Sequence, residues 1–360
     1  MDLLTNPIKD YGWGSRTAIA ALTGRTATGP EAEMWLGAHP SGPSRLSRSG
    51  VENALNEIIA ADPVGELGAE VIERFGERLP YLMKLIAVDQ ALSMQVHPTL
   101  DQAAEGFLRG DKNYSDPWPK PEMIVALTPF TALAGFRSGP EAAELVAALE
   151  LPALRPVVDR LAGGDVLGAL RVLLELPADV RPQLVADIVR ASGDPLVATL
   201  AATYPSDPAV LAPLLMRRHE LAPGQAIYLG AGVLHAYLSG FGVEIMGSSD
   251  NVLRAGLTPK PIDIEELLRI TDPNEQPAEI APVDGLYLPY CPEFQLRRIA
   301  PGDGRTLPGG VPRIAVCVEG EVVVDGRLTL RPGDSAFHAA SAGAFEVAGN
   351  GVVFVAEPRQ

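Results

Sequence analysis

The residues of this chain best suited to chemistry lie in short apolar runs. Ser93-Met-Gln-Val-His97 has strand character. On a strand, residues two apart project from one face, so Gln95 and His97 point together into one cavity. Lys120-Pro-Glu122 opens the run Met123-Ile-Val-Ala-Leu127, setting a carboxylate at the edge of apolar chain where an unpaired charge is expensive. A metal or a basic partner would relieve that cost. His235 lies in Gly232-Val-Leu-His-Ala-Tyr237, inside an uncharged stretch from Pro223 to Val243. Two imidazoles, a carboxylate and an amide form a mixed N/O donor set that suits zinc or another divalent first-row ion, and zinc needs no thiolate here. Each residue also has a plainer role: the histidines as hydrogen-bonded core groups, Glu122 as a surface residue at a strand start.

Downstream, Val243-Glu-Ile-Met-Gly-Ser-Ser-Asp-Asn-Val-Leu-Arg-Ala-Gly-Leu-Thr-Pro-Lys260 mixes charge with Gly, Ser and Asn as a site loop does. Arg254 can fork onto an anion or a developing oxyanion, and Lys260 can supply a compact positive charge, a surface salt bridge being the plainer and less favoured role for each. His39, in a Pro/Gly/Ser loop, and His219, after Arg217-Arg218 near an expected helix end, read as structural.

These residues need strands to hold them. Tyr81–Val88, Ala91–Val96 and Glu122–Leu127 read as strands, while Glu52–Asp62 and Val64–Gly76 show helical spacing. From Pro140 to about His219 the chain is Ala/Leu-rich and broken by prolines at helix-end intervals. The strand texture then returns. The expected division is a catalytic β part over 1–138 and 221–270, a helical insertion over 139–220, and a C-terminal β part over 271–360. The uncharged stretch 223–243 holds five glycines, so it reads as buried strands and turns and not as a membrane span.

A formal net charge of −16, from 29 Lys plus Arg against 45 Asp plus Glu, argues against nucleic-acid or membrane partners, both of which need clustered positive charge. Two cysteines, Cys291 and Cys317, build no disulfide framework, and Met1–Asp10 lacks a basic stretch followed by an apolar run. The expectation is a cytoplasmic protein.

At these residues the chain resembles the type I mannose-6-phosphate isomerases, or phosphomannose isomerases. The resemblance runs through Tyr11-Gly-Trp-Gly-Ser15, Ala32-Glu-Met-Trp-Leu-Gly-Ala-His-Pro40, Leu79-Pro-Tyr-Leu-Met-Lys-Leu85, Ala91-Leu-Ser-Met-Gln-Val-His-Pro98, Lys120-Pro-Glu122, His235-Ala-Tyr-Leu238 and Ser249-Asp-Asn-Val-Leu-Arg-Ala-Gly-Leu-Thr-Pro-Lys260. It covers most of residues 1 to 270 in order, and the last motif is highly specific. It implies a mainly β protein with a cupin-type jelly-roll catalytic barrel, an inserted helical domain, a second cupin-like domain at the C-terminus, and one zinc per chain. The family's zinc ligands fall on Gln95, His97, Glu122 and His235, and its catalytic arginine falls on Arg254. One departure stands out: many members carry Asn-His before Lys-Pro-Glu, whereas this chain carries Trp118-Pro119. Ring opening, a task proposed for that histidine in relatives, would fall here to His97, a zinc-bound water or Lys120. His338 has no metal partner at cupin spacing, so the C-terminal domain reads as structural.

Interconverting an aldose and a ketose phosphate moves a proton between C2 and C1 through an enediol. Zinc would orient or polarise the sugar oxygens. Arg254 would stabilise enediolate charge, and Lys120 or Glu244 would be the base. Ser93, Lys84 and Lys260 would bind the phosphate, with Trp13 walling the pocket. The expected partner is a small sugar phosphate, and the expected state a monomer. The rival readings are a cupin metal oxygenase, for which Lys84, Lys120, Arg254 and Lys260 would have no use, and a non-catalytic sugar-binding protein.

Overall fold

Period-two alternation decides which side of each strand meets which core. The computed structural model describes all 360 residues. In the strand Tyr81–Val88 every residue is buried, yet the two faces differ. Met83, Leu85 and Ala87 join Met123, Val125, Val243 and Ile245 in one apolar core, while Lys84 and Ile86 face a cavity on the other side.

The organising strand is His235–Gly247, 13 residues long, in an eleven-stranded antiparallel assembly. Its second half lies between Tyr81–Val88 and Glu122–Ala126, and its first half pairs with Phe130–Phe136 and with Gln95 of Met94–Val96. The register shifts between Tyr237 and Ser239, and Gly240 follows with φ +126°. A Cβ at Gly240 would sit 2.7 Å from the Phe130 Cα, so only glycine lets the strand turn this corner and serve both parts of the sheet.

An eight-stranded sheet packs against this assembly, with Ile314, Val316, Phe337 and Phe354 in the shared core. On its other face Ala315, Cys317, Val353 and Val355 meet a four-stranded sheet built from Arg305–Leu307, Phe345–Gly349, Val322–Val324 and Leu328–Leu330. The chain's first strand, Asp2–Thr5, pairs with Ser335–His338 and with Arg45–Arg48. The sequence reading kept residues 1–138 together in the catalytic part; hydrogen bonding instead carries Asp2–Thr5, Arg45–Arg48 and Val51–Ala54 into the C-terminal sheet. Val51–Ala54 is accordingly a strand, and the helix expected from Glu52 begins at Leu55.

Helices from Gly139–Ala147 to Ala212–Leu215 fill the interval between two paired strands, Phe130–Phe136 and Met216–Leu221. Ser138, Asp165 and Asp194 cap three of them by accepting backbone N–H bonds. Their apolar faces share a core with Met94, Val96, Leu234, Ala236, Leu253 and Ala255, which are the backs of the site-bearing strands. His219 lies on the edge strand Met216–Leu221, which directly follows the helix Ala212–Leu215, its Nε2 3.1 Å from the Ala134 carbonyl. The exposed Arg217, Arg218 and Glu220 suit a charged sheet edge. No helix is long and apolar enough to cross a membrane.

Candidate active site

Three neighbouring strands bring their cavity-facing residues into one row. Gln95 lies opposite His235 on one side and Arg254 on the other, while the residues flanking each of them point into the helical core. On the adjoining wall Lys84 lies opposite Glu244, and Glu122 lies opposite Met246. The cavity between them measures about 750 Å³ and is lined by Gln95, Glu122, Lys84, Lys120, Glu244, Ser93, Trp13, Arg254 and Lys260, among others. Trp13 also stacks on Tyr11, with ring centroids 5.8 Å apart, and leans on the core beneath.

The donor atoms of His97, Glu122 and His235 lie within 4.8 Å of one another, all buried. His97 Nε2 is 3.2 Å from Glu122 Oε1, His235 Nε2 is 3.2 Å from Glu122 Oε2, and the Gln95 amide nitrogen is 3.3 Å from His235 Nε2. A half-turn of that amide brings its oxygen to the same place. Ligands about 2.1 Å from a tetrahedral ion stand about 3.4 Å apart, so these spacings fit a zinc shell. The outer nitrogens point the same way: His97 Nδ1 donates to the Asn251 carbonyl at 2.8 Å and His235 Nδ1 to the Val233 carbonyl at 2.9 Å, leaving both Nε2 lone pairs for an ion. His97 Nε2 and Glu122 Oε2 have no hydrogen-bond partner although buried, a costly arrangement that a bound cation relieves.

Burial, with the positive Lys120 beside it, lowers His97 from 6.5 to about 4. Burial would raise Glu122, but the opposing influences, led by the Lys120 ammonium, outweigh it and hold the carboxyl well below its ordinary range. A neutral imidazole and an ionised carboxylate are the metal-ligating forms. The unfolded chain takes up a proton at His97 that the folded chain refuses. The zinc-free fold should therefore lose stability as pH falls from 6.5 towards about 4, by up to roughly 3 kcal/mol, with Glu122 adding its loss at lower pH still. Urea midpoints of the zinc-free protein at pH 7 and pH 5 check this, and equal midpoints would contradict it.

Lys84 is not placed as the sequence suggested. Its ammonium lies 3.0 Å from Glu244 Oε2 and 3.5 Å from Glu33 Oε1, and the Trp35 indole N–H donates to Glu33 Oε2 at 2.7 Å. Burial disfavours the charge, but Glu244 and Glu33 more than compensate and keep Lys84 protonated. Neutralised by two carboxylates, it is a poor phosphate donor and a good brace for Glu244. Burial pushes Glu244 up. The Tyr237 hydroxyl faces the same carboxylate without a well-formed hydrogen bond. Lys120 lies 2.9 Å from Glu122 Oε1. Arg254 is half-buried with no ion-pair partner, and burial alone lowers it.

With Nδ1 bound to the Asn251 carbonyl and Nε2 turned toward the metal donors, His97 is poorly placed for ring opening. Just before Lys120-Pro-Glu122, Trp118 lies under the Arg78 guanidinium, 4.4 Å from the ring centroid, and its carbonyl accepts from Asn251 Nδ2 at 2.9 Å, while Pro119 beside it carries no titratable group. Asn251 escaped the sequence reading although it braces His97. Glu33, Trp35 and Lys112 escaped it too, since only strand register and loop geometry reveal them. His39 is buried, its Nε2 3.5 Å from Asp250 Oδ1, and His338 bonds the Gly343 carbonyl at 2.9 Å; neither reaches the donor set.

Antiparallel sheets that bring two histidines, a glutamate and a glutamine around one point define a mainly β protein with a metal-binding site. Residues 1–139 match the family model for the phosphomannose isomerase type I catalytic domain. The chain is 35% identical to the mannose-6-phosphate isomerase of Escherichia coli over 98% of both chains. Its fold superposes on a point mutant of phosphomannose isomerase from Salmonella typhimurium with a TM-score of 0.92 at 32% identity, covering all of both chains. A zinc-bound mannose 6-phosphate isomerase gives a TM-score of 0.91 at 31% identity, covering 100% of this chain and 99% of that one. The chain belongs to the type I phosphomannose isomerase family.

Proposed function

We propose that this protein is a zinc-dependent aldose-ketose isomerase that interconverts mannose 6-phosphate and fructose 6-phosphate through an enediol. The observation that carries the reading is the buried His97, Glu122 and His235 donor set, with the half-buried Gln95 amide against it, beside an unpaired Arg254 in one cavity. Zinc held there would supply Lewis acidity toward the sugar oxygens.

The protein's own groups account for the rest. Glu244, raised by burial and braced by Lys84, is the base that carries the proton between C2 and C1. Arg254, with no carboxylate to satisfy it, meets the charge that develops on the enediolate. For ring opening Lys120 or a zinc-bound water is left, since His97 faces the metal donors and Pro119 offers no titratable group. Ser93 and Lys260 serve the phosphate, and Trp13 walls the sugar.

The chain is read as a catalytic part over 1–138 and 221–270, a helical insertion over 139–220 and a structural C-terminal part over 271–360, whose sheet the strands Asp2–Thr5, Arg45–Arg48 and Val51–Ala54 extend. It is also read as a cytoplasmic monomer that binds neither nucleic acid nor membrane. The acidic balance speaks against polyanionic partners, and two free buried cysteines suit a reducing compartment. Zinc-loaded protein given mannose 6-phosphate should form fructose 6-phosphate, and a full zinc complement with no product would defeat the isomerase reading.

A further inference from the structure

The basic side chains of the cavity divide by what they already touch. Lys84 and Lys120 are ion-paired with carboxylates at the cavity floor, whereas Lys112, Arg254 and Lys260 have no ion-pair partner. Of these three, Arg254 stands in register with Gln95, next to the metal donors. Lys112 and Lys260 are exposed and therefore mark the cavity's open side.

Lys112 occupies a loop whose other polar groups are committed. Arg109 bonds Glu105 at 3.0 Å and Glu266 at 3.3 Å, and Asp111 accepts from the Asn113 backbone N–H at 3.0 Å. Asn113 Nδ2 donates to Asp263 at 3.0 Å, the Tyr114 hydroxyl donates to Glu266, and the Ser115 N–H donates to Asn251 Oδ1 at 2.9 Å. Gly106 makes room for the Tyr114 ring, which a Cβ there would approach to 2.3 Å. The loop is thus fixed through helix Ile264–Ile270, whose Asp263 cap and Glu266 hold one side, and through the Asn251 that braces His97. Its one unpaired charge is presented to the cavity.

We propose that Lys112, together with Lys260, clamps the phosphate dianion of the substrate, so that Lys112 determines the preference for a phosphorylated sugar. The inference rests on the isomerase reading. A rigid loop costs little entropy when its lysine engages an anion, and a dianion that leaves water for a cavity needs more than one free cation.

The test uses the zinc-loaded full chain and Lys112→Met, with Lys112→Arg as the conservative control. In Lys112→Met the KM for mannose 6-phosphate should rise about fivefold to twentyfold while kcat stays within twofold. The inhibition constant for inorganic phosphate should rise by a similar factor, with zinc content and Tm unchanged. Lys112→Arg should keep KM within about threefold of the parent value. An unchanged KM in Lys112→Met overturns the proposal. So does a raised KM with unchanged phosphate inhibition, or a loss confined to kcat. A parent protein that does not turn over mannose 6-phosphate at all would instead defeat the isomerase reading.

Discussion

Arg254→Ala should purify with a full complement of zinc and a nearly unchanged Tm, yet turn over mannose 6-phosphate about 10²–10³ times more slowly. The expectation follows from how the side chain is held. Arg254 lies on the strand Leu253–Gly256, whose apolar residues Leu253 and Ala255 do the packing, so truncation leaves the helical core intact. It pairs with no carboxylate, so its removal strands no buried partner charge, the usual source of large destabilisation. A group without a ground-state partner beside the metal donors contributes where charge develops, so the loss should fall on kcat more than on KM. Zinc analysis of the purified variant alongside steady-state kinetics checks both halves. Loss of zinc, or a rise in KM at full kcat, would show that Arg254 serves binding or structure.

His97→Ala should behave in the opposite way, losing zinc and, with it, essentially all activity. Changing an outer partner of a metal ligand costs about 10–100-fold in affinity, so removal of a ligand itself should cost at least about 10². Here the loss has two parts. The Nε2 donor disappears from a set spaced at 3.2 and 3.3 Å, and the buried Asn251 carbonyl loses its donor on the other side. Chelator-stripped parent protein should regain turnover when zinc is restored, while His97→Ala should stay inactive at the same zinc concentration. Full zinc occupancy in purified His97→Ala would remove this residue from the donor set.

The metal donors were legible because alternation is a local rule. Gln95 and His97 share a strand face by spacing alone, and Met94 and Val96 supply the apolar opposite face that makes the strand recognisable. Glu122 and His235 stood out as polar residues embedded in apolar runs. What stayed hidden depends on register between distant segments. Lys84 was legible as a cation but not as one neutralised by Glu33 and Glu244, because those contacts join strands 51 and 160 residues apart in sequence. The pairing of Asp2–Thr5 with Ser335–His338 spans nearly the whole chain and has no local mark. Lys112 looked like any surface lysine, since its meaning lies in neighbours that are all otherwise engaged.

The net charge of −16 takes on a sharper sense beside the cavity, where five cations face four carboxylates before any metal binds. The acidic surface repels polyanions, and the local balance, strengthened by zinc, accepts a small dianion.

The most direct test of proton transfer through an enediol is the fate of solvent deuterium. Zinc-loaded protein should convert mannose 6-phosphate to fructose 6-phosphate in deuterated water, with deuterium appearing at C1 of the product and, on reversal, at C2 of the aldose, as expected of a carboxylate base that exchanges with solvent between transfers. Product formed without deuterium at either carbon over repeated interconversion would contradict the account, which requires a base at Glu244 that exchanges with solvent between transfers.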